Sequence, residues 1–353
     1  MQFHCPTRIV TGPGALDILK TFHAKRVLVV TDQFFAKSGK ALEIGRRVPG
    51  AQVEVFDQVV PDPPAELAAR GAALCERLRP ELLIALGGGS PMDCAKGIRL
   101  ASSLSMTFAA IPTTSGSGSE VTSFSILTHN GVKHAVVDEV LRPDWAILDE
   151  SLLAALPPSL IADTGMDLLT HCLEAAAARN RSGMTDALAF YAAGVTLQNL
   201  AASWQGDQSI RGRLHEAAAM AGMAFDNAGL GLCHAMAHVL GGALHLPHGR
   251  LCAMLLPPVM AVNTAALDQY ARLARACGLG GATDRLSLRN LTGAIVRLRT
   301  ALQMPGTLRQ AGVTQLPDRN TVAREVLKDP CCETNPVPVT ETLVLQVLKA
   351  VGA

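Results

Sequence analysis

Up to about residue 150 the apolar residues come in short unbroken runs, and each run ends in turn chemistry. RVLVVTD (26–32) predicts a buried strand with a polar tip; QVEVFDQVV (52–60) predicts a second, closed by PDPP at 61–64. AELAARGAALCERL (65–78) then repeats its apolar positions at threes and fours, as a helix does. ELLIALGGGSPMDCAKGI reads as a strand running into a glycine triplet and a new helix, and TFAAIPTTSGSGSEVT as a further strand and loop. Strands alternating with helices imply right-handed crossovers and a parallel sheet. From Pro157 onward the pattern is Ala- and Leu-rich with helical periodicity and few strand signals. The expected architecture is an α/β dinucleotide-binding domain with a Rossmann-like parallel sheet over 1–156, and an all-α metal-binding domain over 157–353.

Composition narrows the function. The 353 residues are 49% hydrophobic and 4% aromatic, with a formal net charge of +1. That is ample material for a large core, and without a basic block or basic–aromatic interleaving it points away from nucleic acid. The longest apolar runs, such as LCAMLLPPVMAV (251–262), are too short to span a bilayer, so no membrane partner is expected. Nine scattered cysteines without CxxC pairs suit a reducing compartment, hence a cytoplasmic protein with buried thiols.

Two loops carry nucleotide chemistry. Gly87, Gly88, Gly89 and Ser90 follow a strand and open a helix, where backbone N–H groups attract phosphate, with Asp93 and Lys96 on its first turns. Lys96 fits a phosphate contact or a solvated helix position equally well. Thr113, Thr114 and the serines and glycines up to Ser119 form a second flexible, hydroxyl-rich loop at a strand end. Asp32 suits an adenosine ribose and would repel a 2′-phosphate, favouring NAD over NADP; its plainer reading is a turn or helix-cap aspartate. G-x-G-x-x-G is absent, so any dinucleotide fold here differs from the standard fingerprint.

The helical half holds the metal chemistry. DTGMDLLTHCLEAAAA (163–178) predicts a helix capped by Asp163 or Thr164, with Asp167 and His171 on one face and Glu174 continuing it. GLCHAMAHVLGGALHLPHGR (231–250) holds four of the ten histidines. His234 and His238 are four apart on a helix, and His248 follows in a PHG turn. One carboxylate and several imidazoles make a nitrogen/oxygen site suited to a divalent transition metal. Spacing alone does not choose the ligands among His234, His238 and His248. Position 235 is alanine, which rules out the HExxH protease motif. His215 and His245 read as surface or supporting residues.

GGGSPMDCAKG, IPTTSGSGSEVT, DTGMDLLTHCLEA, AGMAFDNAGLGLCHAMAHVLGG and LPHGR, in this order, resemble the iron-containing (group III) alcohol dehydrogenases over nearly the whole chain. The resemblance implies a metal on Asp167, His171, His234 and His248, with His238 a non-ligand in proton transfer. It implies cofactor contacts at Asp32, Gly87, Gly88, Gly89, Ser90, Asp93, Thr113, Thr114, Ser119 and Lys133, and a substrate pocket near Phe225 and Cys331. The expected activity is NAD(H)-linked interconversion of short primary alcohols and aldehydes, with Fe(II) the first choice of metal and Zn(II) acceptable to the same ligands. A homo-oligomer, dimer or larger, is expected. The compact start and the PDPP loop are most similar to the propanol and ethanol dehydrogenases of bacterial microcompartments, which adds shell proteins or companion enzymes as partners. The rival readings are a dehydroquinate-synthase-like NAD- and metal-dependent lyase, which needs a basic pocket, and an inactive scaffold relative. Two departures from the family pattern are alanine at 177, where many relatives carry an aromatic, and Val337 after Asn-Pro in place of arginine.

Overall fold

Among the described residues, eight strands form before residue 150: β1 (Arg8–Thr11), β2 (Arg26–Asp32), β3 (Gln52–Val59), β4 (Leu82–Gly87), β5 (Thr107–Pro112), β6 (Phe124–His129), β7 (Val132–Val137) and β8 (Trp145–Leu148). Six of them make one sheet in the order β1-β8-β5-β4-β2-β3, with every neighbouring pair parallel. β6 and β7 stand apart as an antiparallel hairpin. The computed structural model describes residues 3–315 and 317–352.

Helices α1 (Gln33–Lys37) and α2 (Lys40–Gly45) follow β2, α3 (Ala65–Leu78) leads to β4, and α4 (Gly89–Ala101) leads to β5. The apolar runs are continuous because both faces of the sheet are covered. Val27, Val29, Leu82, Ile84 and Ile111 pack with Ala41 and Ile44 of α2 on one side. Leu28, Val30, Leu83 and Phe108 pack with Leu67 of α3 and Ile98 of α4 on the other.

The topology singles out one edge of this sheet. β2 is followed by β3 on one side, whereas β4 is followed by β5 on the other, so the connections diverge between β2 and β4. Ligands of open α/β sheets bind at the carboxyl ends of strands flanking such a point. Those ends are Asp32 and Gly87, with Pro112 of β5 alongside. Residues Cys5–Ala155 make up this compact unit.

The second compact unit runs from Leu156 onward, and the regular elements among its described residues are all helices. Its helices are α5 (Pro158–Ala177), α6 (Gly183–Trp204), α7 (Arg211–Ala228), α8 (Leu232–Leu244), α9 (His248–Val262), α10 (Leu267–Ala276), α11 (Asp284–Ala301), α12 (Arg319–Val326) and α13 (Glu341–Ala350). His4 joins this unit through a backbone N–H donated to Asn227 Oδ1 at 2.7 Å. α5 is buried along most of its length, packed among α6, α7 and α9, which is why its sequence is apolar nearly all round. Among the described residues no single helix is long and apolar enough to cross a membrane.

Two expectations are corrected. α5 starts at Pro158, so Asp163 and Thr164 lie inside the helix and cap nothing. Proline at the first helical position supplies the start, because its missing N–H would have had no partner there. His215 on α7 is buried, which corrects the surface half of its reading and leaves the supporting one.

Lys96 is corrected too. Its ammonium is fully buried and donates to Thr122 Oγ1 at 3.0 Å and the Phe124 carbonyl at 2.6 Å. It is a strut from α4 to the segment entering β6, neither a solvated residue nor a phosphate contact. Glu120 lies in the same interior, and burial raises its carboxyl to about 7, against the opposing pull of its own backbone amide and of Lys96. A folded pKa above the unfolded value stabilises at low pH, so this contribution is complete below about pH 4 and is lost as pH rises through 7. We predict that Glu120→Gln flattens the fall in melting temperature between pH 5 and 8, the difference amounting to no more than about 3 kcal/mol. Equal slopes for both proteins in thermal melts across that range would contradict the burial argument.

Candidate functional site

Asp167 and His171 sit one turn apart on α5, His234 opens α8, and His248 opens α9. Their side chains meet at one atom. Asp167 Oδ1 lies 3.4 Å from His248 Nε2, 3.5 Å from His234 Nε2 and 3.8 Å from His171 Nε2. His171 is held flat between Phe225, whose ring centroid is 4.5 Å away, and His234, also at 4.5 Å. Asp167, His171 and His234 are buried, and His248 is half-buried.

Backbone packing makes this convergence possible. Gly249 follows His248 where α9 crosses α5, and a Cβ on it would stand 1.8 Å from the Asp163 carbonyl oxygen. Only glycine permits that approach. Arg250 then clasps Asp163 with two bonds, Nε to Oδ1 at 3.2 Å and Nη2 to Oδ2 at 2.9 Å, fixing the start of α9 on α5.

The donor set fits a divalent cation. His234 Nε2 is buried and makes no hydrogen bond, although it points at the Asp167 carboxylate. A buried polar atom left this way costs free energy unless something else satisfies it. Nitrogen and oxygen ligands about 2.0–2.2 Å from a tetrahedral ion stand roughly 3.3–3.6 Å apart. The Asp167–His248 and Asp167–His234 separations fall in that range and the Asp167–His171 separation lies just beyond it.

The electrostatics agree with a site that favours positive charge. Burial works to raise Asp167, but the imidazoles of His171, His248 and His234 around it hold it well below the ordinary carboxylate range. Burial works to lower His248, yet Cys252 and Asp167 beside it lift it to about 10. His234 is likewise raised well above the usual imidazole value against burial, by Cys252, Asp167 and Glu174. Protons concentrate where a cation would be welcome.

Glu174, two turns beyond Asp167 on α5, does more than continue a helix face. Its Oε2 lies 2.6 Å from His234 Nδ1, and its two oxygens accept from the backbone N–H groups of Gly231, Cys233 and His234. With Nδ1–H given to this carboxylate, loss of the second ring proton leaves the lone pair of His234 on Nε2, toward Asp167.

His238 has a different partner. Its Nδ1 is 2.8 Å from Asp329 Oδ2, while Asp329 Oδ1 accepts the N–H of Cys331 at 2.9 Å. Burial lowers His238, with His248 and His234 adding to it and Asp329 opposing, so the ring is neutral near pH 7. Burial would raise Asp329, but the bond and charge of His238 bring it to about 2. Cys331 is buried beside this pair.

Sequence reasoning missed Cys252 and Asp329. Cys252 is four residues after His248 on α9, and its Sγ lies 3.6 Å from His248 Nε2 and 3.8 Å from Asp167 Oδ1. Helical spacing could have placed it. Asp329 is 91 residues from His238 and carries no local signal. Among the described residues, the basic cluster that a lyase would need is not at this centre: Arg250 is paired with Asp163, and Arg285, Arg289 and Arg297 line a separate groove with Pro257 and Ala261.

Of the expected cofactor residues, Asp32, Gly87, Gly88, Gly89, Ser90, Thr113 and Thr114 lie at or just after the carboxyl ends of β2, β4 and β5, whereas Asp93 is inside α4 and Lys133 is on the separate β6–β7 hairpin. Gly87 ends β4 at φ 148°, where a Cβ would lie 2.4 Å from the Pro91 ring. Gly88 caps α4, whose first residues are Gly89 and Ser90. Thr113 N donates to the Gly87 carbonyl at 3.0 Å, and Thr114 packs its hydroxyl against Gly88. Ser119 is buried and its hydroxyl has no hydrogen-bond partner. Asp32 caps α1, its Oδ1 accepting from Phe34 and Phe35 N–H groups at 2.9 and 3.1 Å, which is the plainer of its two readings. Asp93 is raised to about 7 by burial, against Lys96, the Ile126 amide, Ser125 and Lys133. Lys133 itself pairs with Asp62 Oδ1 at 2.6 Å.

Known proteins are similar to this chain in sequence and in fold. Residues 6–150 match the description "Iron-containing alcohol dehydrogenase", and residues 161–352 match "Fe-containing alcohol dehydrogenase family, C-terminal". The chain is 39% identical over 364 residues to the 1-propanol dehydrogenase PduQ of Salmonella typhimurium, covering 98% of each. A crystal structure of 1,3-propanediol oxidoreductase superposes with a TM-score of 0.92 at 32% identity, covering 99% of each chain. A sulfoacetaldehyde reductase from Bifidobacterium kashiwanohense, solved in complex with NAD+, superposes at 0.90 with 26% identity, covering 100% of this chain and 98% of that one. Both halves of the chain thus match one family in order, and the protein belongs to the iron-containing alcohol dehydrogenases.

Proposed function

We propose that this chain interconverts a short primary alcohol and its aldehyde with NAD(H), at a divalent cation held by Asp167, His171, His234 and His248. The observation that carries the reading is the convergence of three imidazole nitrogens on one oxygen of a buried carboxylate. When bound, the cation supplies Lewis acidity toward the substrate oxygen, and the nicotinamide supplies or takes up the hydride. The chain's own residues bind, orient and handle the proton. Asp329 holds Nδ1–H of His238, leaving the Nε2 lone pair to accept the alcohol proton in one direction and return it in the other. Phe225, stacked on His171, and the buried Cys331 beside His238 supply apolar surface for a short carbon chain.

On the α/β unit, the amide groups opening α4 and the hydroxyls of Thr113, Thr114 and Ser119 suit the cofactor's phosphates. Asp32 favours NAD over NADP by repelling a 2′-phosphate, and Lys133 and Asp93 complete the cofactor set. Likeness to a 1-propanol dehydrogenase and a 1,3-propanediol oxidoreductase supports a short alcohol. Iron(II) is the first choice of metal, with zinc accepted by the same donors. Assembly into a homo-oligomer, and residence in the cytoplasm or in a microcompartment with shell or companion enzymes, belong to the same reading.

The test is NADH consumption with propionaldehyde, on protein stripped of metal and reloaded anaerobically. Fe(II) is expected to restore turnover better than Zn(II), and NADH to serve better than NADPH. Failure of both metals with every short aldehyde tried would sink the reading.

Three variants separate the roles. His248→Ala is expected to lose metal and activity together. His238→Ala keeps its metal but slows turnover by about 10²–10⁴. Equal metal loss in the two would mean that the ligand assignment is wrong. Glu174→Gln is expected to weaken metal affinity by about 10–100-fold, measured by competition with a chelator, with the fold checked by circular dichroism.

A further inference from the structure

We propose that Cys252 is a donor to the cation of the Asp167 cluster, so that this chain's metal centre contains sulfur. The proposal rests on the metal-site reading above and extends it.

Cys252 is fully buried on α9, one helical turn after His248 and on the same face. A thiol that merely fills space would face carbon. This one faces two ligand atoms, His248 Nε2 at 3.6 Å and Asp167 Oδ1 at 3.8 Å. The donor atoms of Asp167, His234, His248 and Cys252 all lie within 4.8 Å of one another, a set that does not include His171.

The spacing has the form expected of a shared ion. With metal–nitrogen or metal–oxygen distances near 2.1 Å and metal–sulfur near 2.3 Å, a tetrahedral edge between sulfur and a lighter donor is about 3.6 Å. The two Cys252 separations sit at or slightly above that length. The buried His234 Nε2, without a hydrogen bond, independently points into the same cluster. The main chain of α9 holds the cysteine in place, and the Cys252 carbonyl accepts from the Cys233 thiol at 3.7 Å.

Coordination replaces the S–H bond by a sulfur–metal bond, and the proton passes to solvent. Cys252 joins Asp167, His171, His234 and His248 as an additional donor. A soft donor thus joins harder ones, which favours zinc and cobalt over magnesium or manganese.

The experiment is anaerobic titration of the metal-stripped full chain with Co(II), followed by absorption spectroscopy. One Co(II) per chain is expected, with a thiolate-to-cobalt charge-transfer band in the near ultraviolet beside the visible d–d bands. Cys252→Ser should keep the d–d bands and lose the charge-transfer band, with Zn(II) affinity falling by about tenfold or more, at least what loss of an outer partner causes. Cys331→Ser should keep both. Visible bands without charge transfer in the parent protein would overturn the sulfur donor while leaving the metal site standing. The sulfur donor is overturned equally if the band survives in Cys252→Ser and disappears in Cys331→Ser, which would assign it to the His238–Asp329–Cys331 cluster. If the parent binds no Co(II), or binds it equally well in Asp167→Ala, the metal-site reading fails with the proposal.

Discussion

The Glu174 carboxylate is the interaction on which the helical unit turns. A helix leaves its first N–H groups without intrahelical partners, and in an apolar bundle no water is at hand to satisfy them. At the start of α8 the N–H groups of Gly231, Cys233 and His234 go to Glu174, and that of Leu232 goes to Asn335 Oδ1. One side chain thus docks α8 on α5 and reaches the Nδ1 of His234. The negative charge is favoured at that helix end, and it sits among donors that compensate its burial. The ring of His234 is therefore oriented by the same bonds that hold the bundle together. Asn335 carries the link onward, exchanging bonds with Asn263 and donating to the Val337 carbonyl. That contact is made by the backbone of Val337, so it does not depend on which side chain follows the Asn-Pro pair.

The Asp167 cluster is also a helix-packing problem. Three helices must bring side chains to one oxygen while their backbones remain close enough to exclude water. Gly249 solves this at the crossing of α5 and α9, and Arg250–Asp163 locks the solution beside it. The buried charges raise the stakes, because removing one partner of such a set leaves the others uncompensated. A cluster built this way is positioned by backbone packing and by an ion pair that involve none of its four converging side chains.

Much of the fold was legible where pattern and burial coincide. The strand at 26–32, the helix at 65–78 and the strand-to-glycine transition at 82–89 appear at the expected positions, because continuous apolar runs and helical periodicity report burial directly. The start of α5 was misplaced because Asp163 has the composition of a cap but serves Arg250 from inside the helix. Lys96 defied its charge: composition says surface, whereas Thr122 and the Phe124 carbonyl make the interior tolerable. Asp32 shows the converse, a residue whose two readings differ only in who donates the hydrogen bonds. In the structure the amides of Phe34 and Phe35 already occupy its Oδ1. Contacts such as Asp329 to His238 depend on tertiary closure across 91 residues, and no local pattern encodes them.

The two histidines one turn apart on α8 show how partner choice assigns a role. His234 and His238 have the same spacing signal, the same helix and the same chemistry, and each gives Nδ1 to a carboxylate. Each therefore presents Nε2 as the free face of the ring. What separates them is where that face points. The His234 Nε2 lies 3.5 Å from Asp167 Oδ1, within a cluster whose field raises its proton affinity, whereas burial and two neighbouring imidazoles lower that of His238. The first environment suits a ligand to a cation. The second suits a neutral base that must accept a proton and let it go, since a base near the working pH does both at small cost. Identical residues at identical spacing are thus sorted by what each Nε2 faces, while carboxylates 60 residues upstream in one case and 91 downstream in the other hold each Nδ1.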